Sequence, residues 1–198
     1  MRGVILVVVA GLTYLLLIRA RGPGEIPVEA LRAAEAAGCD PLEQPVEPDP
    51  SRTHLAPGEA FDYPDPPAAA GQHDTSPLPP DPHVYEEPIP ETRAVHNLEH
   101  AYVLVYYRPA DEGGLSADAT EALEAFAIDE DRVIMAPYPD LPEGQGLALL
   151  AWNTRWTCPS TVAADQAVTI SAGFVDAYRG TTVAPEAPRG LLGPLFQR

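Results

Sequence analysis

Between Pro41 and Pro90, fourteen of fifty residues are proline, and no other feature restricts the fold of this chain so strongly. Each proline removes an amide donor and fixes one backbone dihedral, so the stretch holds neither a long helix nor a central strand. Composition of that kind is typical of linkers. Yet the stretch also carries His54, Phe61, Tyr63, His73, His83 and Tyr85, and solvated linkers are poor in aromatic residues. The expectation is an ordered, extended wrap over residues 41–95, lying on a folded core of residues 96–187.

The flanking segments have clearer periodicity. "IPVEALRAAEAAGC" predicts a short helix within residues 22–40, with Gly38 in the C-cap position. "AYVLVYY", from Ala101, is nearly continuous in apolar character and reads as a strand buried on both faces. After the "DEGG" turn, Ser116 caps a helix running to about Ala127. "RVIMAPY" and "GLALLAWN" read as two strands joined by "PDLPEGQG". A last helix runs from about Ala164 to Arg179, and residues 188–198 form an irregular tail. The predicted class is α+β, a small sheet with β-α-β-β-α order. A hairpin joins its second and third strands, and both helices lie on one face. A Pro-rich extended wrap and an N-terminal transmembrane helix precede it.

That transmembrane segment is "VILVVVAGLTYLLLI", Val4 to Ile18, with Arg2 before it and Arg19 and Arg21 after it. At about 1.5 Å per residue it reaches ~22 Å, short of a ~30 Å hydrocarbon core. A cleaved signal peptide is the alternative, but arginines stand where a small-x-small cleavage site belongs. The residues favour an uncleaved anchor over residues 1–21, contacting the lipid bilayer through residues 4–18. Arginines on both sides leave orientation open by charge. The expected location is the cell membrane, single-pass, with residues 22–198 outside the cytoplasm. Cys39 and Cys158 then form one long-range disulfide, the alternative being two free buried thiols. Beyond residue 21 the chain carries 29 acids against nine arginines and no lysine. Such charge excludes nucleic-acid binding and suits either solubility or the attraction of cations or a basic partner.

All five histidines lie between positions 54 and 100. His96-Asn97-Leu98-Glu99-His100 spells H-x-x-E-H, the inverted zinc-protease motif, which works when helical because residues four apart then share a face. "AYVLVYY" directly behind it predicts a strand instead, with His96 and His100 on one face and Asn97 and Glu99 on the other. That arrangement argues against a protease and leaves two alternatives, a shared metal site or histidines hydrogen-bonded to backbone and carboxylates.

Taken together, "GC" at Gly38-Cys39, "HLAPGEAFDYPDPPAAAGQH", "VHNLEHAYVLVYY", "APY", "LLAWN" and "FVDAYRGTTVAPE" resemble DUF3105, a bacterial family of membrane-anchored proteins of unknown function. The resemblance covers roughly residues 38 to 187. Its pattern implies His54, His73, His96 and His100 as the matching histidines, with Asn97 and Glu99 between the last two. His83 does not match and is set aside. Ala69 and Ala70 stand where serine is usual, which argues against a serine nucleophile, and Ala101 stands where glycine is usual.

Three readings follow. In the first, a binding protein holds copper or zinc through His54, His73, His96 and His100, with Tyr63 and Tyr85 lining or covering the site. Such a site is full and has no catalytic residue. In the second, three histidines bind the metal and Glu99 or Asp74 serves as base. In the third, the domain docks on a partner membrane protein and holds no metal.

Overall fold

The computed structural model describes residues 22–79 and 81–188. The expected anchor and transmembrane helix fall on residues 1–21, outside the described residues, as does nearly all of the tail. No described helix is long and apolar enough to cross a membrane. The described chain is α+β, with four helices and two small sheets. In order these are α1 (Val28–Ala37), β1 (His54–Leu55), β2 (His73–Asp74), α2 (Glu91–Glu99), β3 (Val103–Tyr107), α3 (Ala117–Ile128), β4 (Val133–Pro137), β5 (Gln145–Ala151), β6 (Thr154–Pro159) and α4 (Ala164–Tyr178). Gly38, at φ 76, terminates α1, and Ser116 Oγ accepts from Ala119 N–H to cap α3.

The main sheet has the order β4-β3-β5-β6, which corrects the expected β-α-β-β-α arrangement in two respects. The pair β4 and β5 forms no hairpin. β3 lies between them, parallel to β4 and antiparallel to β5. The hairpin is instead β5–β6, a strand pair beyond those expected, closed by Trp152 and Asn153. Asn153 adopts φ 53, and asparagine tolerates this left-handed conformation better than most residues, as a two-residue hairpin loop requires. In addition a helix, α2, stands immediately before β3, where the sequence predicted a strand entrance.

Strand alternation sorts side chains onto two faces. Val103, Val105, Val133, Met135, Leu147, Leu149 and Trp156 meet α1, α3 and α4 in one apolar cluster. Leu104, Tyr106, Ile134, Ala148 and Leu150 face the other way, against α2 and Ala68–Ala70 of the proline-rich segment. Both sheet edges are covered by that segment. Glu43 exchanges backbone hydrogen bonds with Arg155 of β6, while Met135 of β4 donates to His83 O and accepts from Tyr85 N. Edge strands left open invite pairing with other chains, and here the wrap closes both. The Cys39–Cys158 disulfide ties its beginning to β6 across 119 residues of sequence.

Side chains hold the wrap where its prolines cannot, Asn153, Asn97 and Arg155 among them. Asn153 accepts from Glu47 N and donates to Glu47 O, each at 2.8 Å. Asn97 does the same for Leu78, at 2.8 and 3.1 Å. Each amide takes the place of a neighbouring strand for one residue. Arg155 donates to the Glu43 and Asp65 carboxylates and to the backbone carbonyls of Asp65 and Pro67.

Candidate metal centre

The H-x-x-E-H stretch is helical. Pro90 precedes α2 and its carbonyl accepts from Arg93 and Ala94, a start that suits a residue without an amide hydrogen. Ala94, Val95 and Leu98 fall at helical spacing and are buried against the sheet. The helix ends at His100, and Ala101, at φ 63, turns the chain into β3 within two residues. This corrects the expected strand geometry: His96 and His100 share a face because they are one helical turn apart. Their Nε2 atoms lie 2.9 Å apart and the rings stack at 22°.

Two more imidazoles come from the wrap. β1 and β2 pair in parallel with His54 opposite His73, so their rings stand side by side with centroids 4.8 Å apart. The His96 ring lies 5.2 Å from that of His54 and 5.0 Å from that of His73. One ring nitrogen from each of these three residues falls within a set whose members all lie within 4.8 Å of one another, an arrangement that could hold a metal ion.

The ring nitrogens are already sorted. His73 Nδ1 lies 2.8 Å from Gly71 O, and His96 Nδ1 lies 2.6 Å from Asp74 O. A carbonyl only accepts, so each Nδ1 carries the hydrogen and each Nε2 of the neutral ring presents a lone pair. Metal-bound histidines are commonly oriented by such bonds. Burial lowers the His96 pKa, opposed by the bond to Asp74 O and reinforced by the neighbouring imidazoles.

The carbonyls are held in turn. Gly71 adopts φ 118, and a Cβ there would stand 3.2 Å from the Tyr63 ring; Tyr63 O–H donates to Gln72 O at 2.6 Å. The Asp74 carboxylate accepts from Gly58 N and Ser76 N, each at 2.8 Å, and these two bonds pull its pKa down. Trp152 stands edge-on to His73, with ring centroids 6.0 Å apart.

Glu99 points at His73. Its Oε2 is 3.0 Å from His73 Nε2, both residues are buried (2 % and 0 % exposed), and neither atom has a hydrogen-bond partner. In the neutral ring the hydrogen sits on Nδ1 and two electron-pair donors face each other, whereas a ring protonated on both nitrogens forms an ion pair with Glu99. Buried polar atoms are rarely left in the first of these states.

Of the residues singled out in the sequence, His54, His73 and His96 converge, and His100 and Glu99 stand at the edge of the group. Asn97 clamps Leu78 rather than facing the cluster. Tyr63 supports the Gly71–His73 turn from behind. Tyr85 lies away from it, its O–H donating to Pro79 O at 3.3 Å. Sequence reasoning missed the carbonyls of Gly71 and Asp74, for which composition holds no signal, and Trp152, which read as strand core.

The DUF3105 family, described as a protein of unknown function, matches residues 54–190, more than half of the chain. The chain belongs to this family. The matched DUF3105 span starts at His54 and contains every residue of the cluster. No curated protein and no solved structure matches the chain.

Proposed function

We infer that this DUF3105 protein binds one divalent transition-metal ion through His54, His73 and His96, with the Glu99 carboxylate completing the set. The observation that supports this reading is the pair of buried, unpartnered atoms His73 Nε2 and Glu99 Oε2, 3.0 Å apart. Metal bonds of about 2.1 Å at roughly 90–110° put neighbouring ligand atoms ~3.0–3.4 Å apart. The His73–Glu99 distance suits one edge of such a polyhedron, and the 2.9 Å between His96 and His100 Nε2 suits another if His100 joins. Imidazole suits zinc and copper alike, and a carboxylate oxygen favours a divalent ion over Cu(I). The disulfide supports a location outside the cytoplasm, where the apolar run at residues 4–18 would hold the domain at a membrane.

Metal analysis of the full chain, purified without chelators and reloaded with zinc or copper, tests this. One equivalent is expected, lost in His73→Ala and His96→Ala. Less than about a tenth of an equivalent in the wild type would sink the reading, since a built site binds stoichiometrically. The helical H-x-x-E-H spacing favours a second reading, an enzyme in which Glu99 acts as base on metal-bound water. Glu99→Gln separates the two: metal is lost if Glu99 is a ligand and retained if it is a base.

A further inference from the structure

Against the Gly71–Gln72 backbone the wrap forms a cleft of about 240 Å³. Val46, Glu47, Phe61, Tyr63, Pro64 and Asp65 contribute its walls, and none of them belongs to the metal centre. The Phe61 and Tyr63 rings meet at 72° with centroids 4.9 Å apart, so their faces form a corner on the cleft. Gly71 lies beneath it. A Cβ there would stand 3.2 Å from Tyr63 Cε1 and 3.9 Å from Glu47 Oε1, so ring and carboxylate flank a space that the missing side chain leaves open.

The face of an aromatic ring is electron-rich and attracts cations, and the charges around this corner act in the same direction. Asn153 holds the Glu47 backbone through both its N–H and its carbonyl. The half-buried Glu47 carboxylate, by contrast, has no partner among the described residues. Asp65 is bonded to Arg155, but that guanidinium also pairs with Glu43, so two carboxylates outweigh one cation there. Burial, then the charges of Glu91 and Glu47, raise the Tyr63 pKa, and the phenol stays neutral in a negative field. A partly desolvated, unpaired carboxylate beside two ring faces is stabilised by a cation.

The kind of cation follows from the acceptors. A primary ammonium carries three N–H donors that need partners once out of water. Here the carbonyls of Glu47, Asp65, Gly71 and Gln72 already accept from Asn153, Arg155, His73 and the Tyr63 hydroxyl. Ser51 Oγ, also on the cleft, is bonded to Thr53. A fully methylated ammonium has no N–H to satisfy and presents methyl groups to Val46, Pro64 and the rings. The cleft is smaller than the ~300–1,000 Å³ of pockets for drug-sized ligands, so the ligand is small. An anionic group on it would face Glu47 and Asp65.

We propose that this cleft binds a small methylated ammonium cation of the choline type, its charge against Glu47 and its methyl groups in the Phe61–Tyr63 corner. The site is separate from the metal centre, and binding there does not depend on a metal.

The full chain, in a maltoside detergent and without added metal, is titrated with choline while its backbone amide resonances are followed by NMR. Saturable shifts are expected at Phe61, Tyr63, Gly71 and Gln72. Dimethylbutanol, the uncharged carbon isostere, and ethanolamine, the unmethylated cation, bind more weakly by about threefold or more. Phosphocholine, which carries the same cation beside a phosphate as in a lipid headgroup, is also weaker than choline. Phe61→Leu keeps an apolar side chain without the ring face, and Glu47→Gln removes the charge at nearly constant shape. Each weakens choline by about threefold to thirtyfold, the range of a cation–π contact. Choline without saturable shifts overturns the assignment, as does wild-type affinity in either variant. Equal binding of dimethylbutanol or ethanolamine overturns the methylated cation as ligand, and tighter binding of phosphocholine overturns the free cation in favour of a lipid headgroup.

Discussion

On one face of the main sheet, Val103, Val105, Met135, Leu147, Leu149 and Trp156 meet three helices. On the other, Leu104, Tyr106, Ile134, Ala148 and Leu150 meet α2 and a proline-rich segment. Helices satisfy their own backbone groups, so the first face needs little beyond apolar contact: Ile170, Phe174 and Tyr178 of α4 fill it, and Ala30 meets Gly173 where α1 crosses α4. The wrap has few regular partners for its carbonyls and amides. It recruits Asn97, Asn153 and Arg155 to bind them, and it leaves the carbonyls of Gly71 and Asp74 free to orient imidazoles. In a regular ladder those carbonyls would have been used by neighbouring strands. The irregular face is therefore the one that can carry a site.

The difference can be broken most strongly on the helical face. Phe174 is fully buried, with its ring 4.6 Å from that of Tyr178, and Phe174→Ala is expected to cost about 3–5 kcal/mol. Urea unfolding followed by circular dichroism measures it. The folded fraction should still take up metal with unchanged affinity, because α2 and the wrap, which carry the histidines, pack on the opposite face of the sheet. A variant that loses both together would show that the faces are one cooperative unit in function as well as in stability.

The wrap face responds differently. Asn97→Ala removes both bonds to Leu78, leaving a buried amide and carbonyl without partners, at about 1–3 kcal/mol. Although the loss of stability is smaller than for Phe174, metal affinity is expected to fall by tenfold or more. Asn97 holds the wrap to α2, and the centre needs His54 and His73 from the first and His96 from the second. Isothermal titration with zinc or copper at a temperature where the variant is folded reads this directly. Affinity equal to wild type would mean that β1–β2 pairing alone positions the wrap.

Legibility in the sequence follows the same division. The helices α1, α3 and α4 and the strands β3, β4 and β5 carry long apolar periodicities, and these were readable. β6 was not, because Thr154, Arg155 and Thr157 interrupt its pattern with polar residues: Arg155 pairs with Glu43 and Asp65 of the wrap, Thr157 with Asp40 just before it, and Thr154 with Trp152 O. Nor was strand order, which depends on β3 sitting between β4 and β5. The four histidines could be named as a group. Their convergence could not be seen, since β1 and β2 are two residues each and leave no periodic trace. α2 is masked because the strand composition of 101–107 follows it directly. Pro90, and the spacing of Ala94, Val95 and Leu98, marked a helix that the β-rich run behind it obscured.

The smallest effect belongs to the residue that joins α2 to β3. Ala101 adopts φ 63, and its carbonyl accepts from Gly180 N at 2.9 Å, so the position is fixed from both sides. An alanine in this conformation costs about 1–2 kcal/mol, and Ala101→Gly would remove that strain. Glycine loses about 0.4–1 kcal/mol more backbone entropy on folding. The alanine methyl is buried at 2 % exposure, and its removal forfeits ~0.8 kcal/mol. These contributions nearly cancel, so Ala101→Gly should change stability by less than about 1 kcal/mol and leave metal affinity unchanged. A loss well beyond that would mean the methyl is packed tightly against Leu98 and Ala184 of the same cluster. The turn into β3 would then belong, energetically, with the apolar core rather than with the irregular face that holds the histidines.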